Sequence, residues 1–167
     1  MAEAFLGAMA RDRKLNVTVE SAGTLPGDRP IAPSALEVIG KDGLDMSDHR
    51  SQLLVRRVMQ RSDLILGMAR EHVREAVALD PPAWPRSFTL KEFVRRGEAV
   101  GPRPKGQLLR AWLDDVGAGR RHENLLGSSP VDDVEDPMNA GEVLCRATGK
   151  ELLDLVVRVL SLIAPET

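Results

Sequence analysis

Three short runs of β-branched and apolar residues, separated by stretches of helical character, constrain this chain more than any other feature. The runs are Asn16-Val17-Thr18-Val19-Glu20-Ser21, Asp63-Leu64-Ile65-Leu66-Gly67-Met68 and Ser87-Phe88-Thr89-Leu90. Each reads as a short strand. Between them the pattern predicts helices over 33–41, 53–60 and 70–79; Pro33 suits a first helical turn, and Asp80-Pro81-Pro82 ends the last. Further helices are expected over 1–14, 91–96 and 105–116. A long one is expected from Glu142 to Ile163, where Cys145, Leu152, Leu155, Val156, Val159, Leu160 and Ile163 recur close to every 3.6 residues. Strands alternating with helices favour a parallel sheet with right-handed crossovers, which makes the expected fold class α/β.

Composition sets outer bounds. A chain of 167 residues fits one domain able to bury a core, so residues 1–167 are expected to form a single domain. A net charge of -2 gives no basic footprint for nucleic acid. The one cysteine excludes an internal disulfide framework and suits a reducing compartment. Ala2 to Ala10 reads as an amphipathic helix rather than a leader, because Glu3 interrupts it and basic residues follow instead of preceding it. No run approaches the length of a membrane span. The expectation is a soluble cytoplasmic domain with no nucleic-acid or membrane partner.

Four motifs occur in a fixed order: Met1-Ala2-Glu3-Ala4-Phe5-Leu6, Glu20-Ser21-Ala22-Gly23-Thr24, Asp48-His49-Arg50-Ser51 and a late Asp136-Pro137. Each alone is weak, but the order is distinctive. Over residues 1 to 95 and 131 to 163 the chain resembles the low-molecular-weight protein-tyrosine phosphatase family, whose fold is shared with arsenate reductases. The resemblance implies a three-layer α/β/α domain around a small, four-stranded parallel sheet. It also implies phosphate monoester hydrolysis: a cysteine thiolate attacks phosphorus, an aspartic acid protonates the leaving oxygen, and a second step hydrolyses the phosphocysteine. The substrate would be a phosphorylated protein or a small phosphoester, and no cofactor is implied.

By the same resemblance Asp136 matches the general acid. Pro137 restricts the Asp136 backbone to extended conformations, which suits a loop that points a carboxyl group into a site. Ser21 and His49 match residues that support the phosphate-binding loop. Read without the family, Asp136 is an Asp-Pro turn, Ser21 a strand-end hydroxyl and His49 a capping or solvated loop histidine. The neighbouring Asp132, Asp133 and Glu135 are expected to be a solvated charge run.

In the family a first strand and a C-x5-R-S-P loop come directly before the Met-Ala-Glu, whereas this sequence opens at Met1. The expectation is a phosphatase body without its nucleophile, through an incomplete sequence or a late start codon, and inactive as given. The strands near Asn16 and Asp63 would then lack their common neighbour. Cys145 does not replace the missing thiol: Glu151 stands where an arginine is needed, and the apolar spacing makes Cys145 a core residue. Gly149-Lys150 fails as a nucleotide loop because Glu151 follows it. His49, His72 and His122 lack ligand spacing, so no metal is expected.

Two departures from the family bear on specificity. Met138 replaces an aromatic residue after Asp-Pro, and there is no tyrosine, which argues against a phosphotyrosine preference. Residues 96–130 read as a helical insertion, either a satellite helix over the sheet edge or a partner surface. The alternatives are an arsenate reductase, which would need further cysteines to shuttle a disulfide, and a non-catalytic protein-binding module on the same scaffold.

Overall fold

The structure, a computed structural model, describes residues 1–138 and 141–164. Its elements in chain order are α1 (Ala2–Asp12), α2 (Pro33–Gly40), α3 (Arg56–Arg61), β1 (Ile65–Gly67), α4 (Arg70–Leu79), β2 (Ser87–Thr89), α5 (Leu90–Val100), α6 (Leu109–Val116) and α7 (Gly141–Ile163). Short 3-10 turns occupy Pro81–Arg86 and His122–Leu125. The chain divides into two compact units, Met1–Leu53 with Asp136–Leu160, and Leu54–Glu135 with Ser161–Thr167.

The first unit is helical. Pro33 opens α2 at a position whose N–H would have no intrahelical partner, and Val38 and Ile39 are buried. In α1, Ala4, Phe5 and Ala10 are buried while Glu3 sits in the first turn, where the helix dipole favours an acid. Cys145, Leu152, Leu155 and Val156 are buried along α7, as their spacing predicts.

Residues 16–21 depart from the sequence expectation. They form no strand, and Asn16, Val17, Thr18 and Glu20 are exposed. Their β-branched side chains favour extended backbone, but a strand also needs a ladder partner, and none pairs with them among the described residues. The sheet accordingly has two strands among the described residues, where the sequence pattern suggests three.

The second unit holds that sheet. Strands β1 and β2 run parallel with Ile65 opposite Ser87, Leu66 opposite Phe88 and Gly67 opposite Thr89. Helix α4 supplies the crossover, as a parallel pair requires. Phe88, Phe93 and Trp112 meet edge to face, with ring centroids 5.6 and 5.8 Å apart along the row. The Trp112 indole N–H donates to Gly101 O at 3.1 Å. Thr89 Oγ1 accepts from Glu92 N at 3.1 Å and so caps α5.

Two helices start later than the periodicity predicts. Helix α3 begins at Arg56 instead of residue 53, because Leu53 is committed to a bridge with Gly23 and Val55 is extended. Helix α6 begins at Leu109 instead of Lys105. Gly106 takes a positive φ of 85° and Leu108 is extended, so no helical turn propagates through them.

Candidate functional site

Two of the sequence motifs are fastened to each other within the first unit. Gly23 forms a parallel bridge with Leu53 and its N–H donates to Gln52 O at 2.9 Å, while Pro30 forms an antiparallel bridge with Arg50. Between those bridges Asp28 N donates to Ser51 O at 2.7 Å, Ser51 N to Arg29 O at 2.9 Å, and Arg29 N to Ser51 Oγ at 3.1 Å. The Gln52 side chain reaches back to Ser21 O at 2.8 Å. Gly27 is needed here, since a Cβ would stand 2.8 Å from Ser51 O.

A third motif closes the arrangement. Ser21 Oγ donates to Glu3 Oε2 at 2.5 Å, and His49 Nδ1 lies 3.6 Å from the same oxygen. One carboxylate in the first turn of α1 therefore gathers Ser21 and His49, which stand far apart in the chain. With its proton directed at Glu3, the Ser21 oxygen keeps only lone pairs to offer another group. The loop before His49 is shaped by Asp45, whose Oδ1 accepts from Ser47 N at 2.9 Å, a bond that holds the Asp45 carboxyl below its ordinary value. Asp45, Met46, Ser47, Asp48 and His49 line an open depression of about 270 Å³.

Asp136 is exposed, and its Oδ1 accepts from Met138 N at 2.9 Å. This local turn leaves the carboxylate in solvent, and among the described residues no hydrogen bond joins it to Ser21, Glu3 or His49. Cys145 is 1% exposed on α7. Among the described residues no group of three or more His, Cys, Asp or Glu side chains could hold a metal ion, and no helix is long and apolar enough to cross a membrane.

The acidic segment before Asp136 is not the solvated run that its composition suggests. In the second unit Asp132 is 7% exposed; its Oδ2 takes Arg70 Nε at 3.0 Å and Nη2 at 2.7 Å, and its Oδ1 takes Arg95 Nη2 at 2.7 Å. Burial acts to raise the Asp132 carboxyl, but the hydrogen bonds from Arg70 and Arg95 outweigh it and hold the group below its ordinary value. Asp133 accepts from Arg70 N at 2.8 Å, capping α4 from a distant loop, and from Ser129 N at 2.7 Å. Arg70 also donates to Leu126 O at 3.2 Å, and Arg74 to the carbonyls of Leu125 and Gly127.

A model of the family described as low molecular weight phosphotyrosine protein phosphatase matches residues 1–101. This chain belongs to that family. Among relatives within it, a probable low molecular weight protein-tyrosine-phosphatase, EpsP of Ralstonia solanacearum, is 40% identical over 88 residues, which cover 52% of this chain and 60% of that protein. The protein-arginine-phosphatase of Bacillus subtilis is 31% identical over 105 residues, 61% of this chain and 69% of that one. The crystal structure of the low molecular weight protein tyrosine phosphatase from T. tengcongensis matches with a TM-score of 0.71 at 27% identity, covering 96% of this chain and 87% of the other. The α/β fold expected from the sequence is the fold of these phosphatases.

Set in this phosphatase family, two groups that sequence reasoning passed over stand out. Glu3 lies inside one of the four motifs, but nothing in its spacing marks it as the acceptor for Ser21 with His49 close by. Asp132 is separated from Arg70 and Arg95 by 62 and 37 positions, so no local pattern pairs them.

Proposed function

We propose that this domain serves removal of phosphoryl groups from phosphorylated proteins, from phosphate monoesters or from phosphoarginine, with Asp136 as the general acid and Ser21 and His49 as supports of the phosphate-binding loop. The convergence of Ser21 and His49 on Glu3 supports this reading most strongly. A half-buried carboxylate holds the Ser21 side chain with His49 beside it, and fixed side chains are what a loop of several aligned N–H groups needs from its surroundings. Ser21 Oγ, its proton turned to Glu3, is left to accept from a donor of that loop.

In the proposed reaction a loop thiolate attacks phosphorus and the bond to the leaving atom breaks, an oxygen in a phosphate monoester and a guanidinium nitrogen in phosphoarginine, while Asp136 gives that atom its proton. Water then attacks the phosphocysteine, the Asp136 carboxylate takes a proton from it, and the S–P bond breaks to release inorganic phosphate. Cys145 is unsuited to this part, being buried and followed six positions later by Glu151. No C-x5-R stretch occurs in these 167 residues, and on this reading residues 1–167 alone are expected to be inactive. A cytoplasmic setting fits a thiolate that must stay reduced.

The substrate has two candidates. Phosphotyrosine follows from EpsP, and phosphoarginine from the arginine phosphatase relative. Met138 in place of an aromatic wall favours the second. The reading is tested by leaving-group dependence after a strand and C-x5-R loop are joined ahead of Met1. Asp136→Asn should slow hydrolysis of phenyl phosphate by about 100-fold or more and that of dinitrophenyl phosphate far less, since only the poor leaving group needs the proton. Equal slowing of both would overturn it.

A further inference from the structure

Sulfur is the element of a protein that peroxides oxidise most readily, and this fold exposes it unevenly. Six methionines and one cysteine carry it. Cys145 and Met59 are each 1% exposed, so packing shields both. Met1, Met9, Met46 and Met68 are half-buried. Met138 stands apart at 66% exposed.

Its place in the chain gives that exposure a consequence. Met138 N donates to Asp136 Oδ1 at 2.9 Å, closing a turn over Pro137, and all three residues belong to the first unit. A thioether is apolar and at most a weak acceptor. Its sulfoxide is polar and chiral, with an oxygen that only accepts. Oxidation therefore puts a second acceptor two positions from the Asp136 carboxylate, and an acceptor cannot hydrogen-bond to an ionised acid.

We propose that the fold singles out Met138 as a site of reversible oxidation, with a hydroperoxide as the oxidant. The thioether lone pair attacks the terminal peroxide oxygen and the O–O bond breaks. The displaced oxygen takes up the proton and leaves as water or an alcohol, so sulfur gives up two electrons and the peroxide gains them. In the reverse step a thiol-dependent methionine sulfoxide reductase removes the oxygen as water and is left with a disulfide. The buried Cys145 offers no competing thiolate. The assignment goes beyond the reading of Asp136 as an acid and does not rest on it.

The experiment uses residues 1–167 and hydrogen peroxide, with the oxygen gained at each methionine followed by peptide mass spectrometry. In the folded chain Met138 should gain its oxygen first, while Met59 stays unoxidised. In urea that order should vanish, because all the thioethers are then open to the peroxide. Methionine sulfoxide reductases for both sulfoxide epimers, added with dithiothreitol to the folded chain, should remove the oxygen from Met138. Met138→Leu keeps an apolar side chain at this exposed position and should lose the fast phase of peroxide consumption. Oxidation of Met1, Met9, Met46 or Met68 as fast as Met138 in the folded chain overturns the proposal. So does the same order in urea, a fast phase that survives Met138→Leu, or a Met138 sulfoxide that the reductases leave in place.

Discussion

Gly149 and Val38 leave no room between them: a Cβ on Gly149 would stand 2.4 Å from Val38 Cγ1. Helices α7 and α2 approach through the absence of a side chain. Gly149→Ala sets two effects in opposition. Alanine favours the helix by about 1 kcal/mol, while overpacking against a β-branched neighbour with one preferred rotamer costs about 1 to 3 kcal/mol. The steric term should win, lowering the urea midpoint. An unchanged or raised midpoint would show that α2 yields freely.

The hydrogen bond from Ser21 to Glu3 predicts a modest, local effect. Ser21→Ala removes the hydroxyl that Glu3 accepts and should destabilise by about 1 kcal/mol, the usual net value of such a bond. Ser21→Thr, which keeps a hydroxyl, should recover most of it. Equal denaturation midpoints for the alanine and threonine variants would remove the Glu3 bond from any supporting role.

Within the second unit, Arg120 is tightly confined. Its side chain is 2% exposed, its guanidinium lies 4.1 Å from the Trp84 ring centroid and 3.9 Å from that of Phe88, and its Nε donates to Glu92 at 2.8 Å. Burial pulls the guanidinium below its ordinary value and Glu92 works against that. Glu92→Ala would strand this charge and should cost about 3 to 5 kcal/mol. The double variant Glu92→Leu with Arg120→Met should be markedly less destabilised than Glu92→Ala, as measured in denaturant. A double variant as unstable as the single would mean that shape, not charge, governs the site.

Acid stability should depend on Asp132. Its folded-state value is depressed, so it contributes stability above the unfolded carboxylate value of about 3.9, and that contribution is lost as pH falls below it. Exposed acids such as Glu37 and Asp45 are depressed too, so the informative quantity is a difference between proteins. Asp132→Asn should be less stable than the parent at neutral pH, and the gap should narrow as pH is lowered through the region below about 4. A constant gap across that range would show that ionisation of Asp132 is not what holds the loop.

How much of the molecule is legible in the sequence depends on the range of the forces involved. Helix α4 runs over Arg70–Leu79, where the sequence puts it, because Asp80-Pro81 terminates it locally. Strands β1 and β2 fall inside the runs that suggest them. Residues 16–21 have the right propensity, but pairing is a property of two segments and only one is visible in a local pattern. Gly106 interrupts a helix that the apolar spacing would begin earlier, since its positive φ is a three-dimensional fact. Ser21 and His49 are noticeable by motif, whereas Glu3, which joins them, needs coordinates. Asp132 is misread because charge density near a loop usually means solvent, and its arginines come from far along the chain.

Arg70 and Arg74 grip the loop at 125–127 by its carbonyl oxygens, not by its side chains. Every residue type supplies such an oxygen, so the exposed Leu126 can drift to almost any residue in descendants of this protein without loosening the grip, while the two arginines cannot. Across homologues that keep this loop, the expected trace of selection is a variable residue at 126, between the buried Leu125 and the positive-φ Gly127, facing a fixed pair of cations.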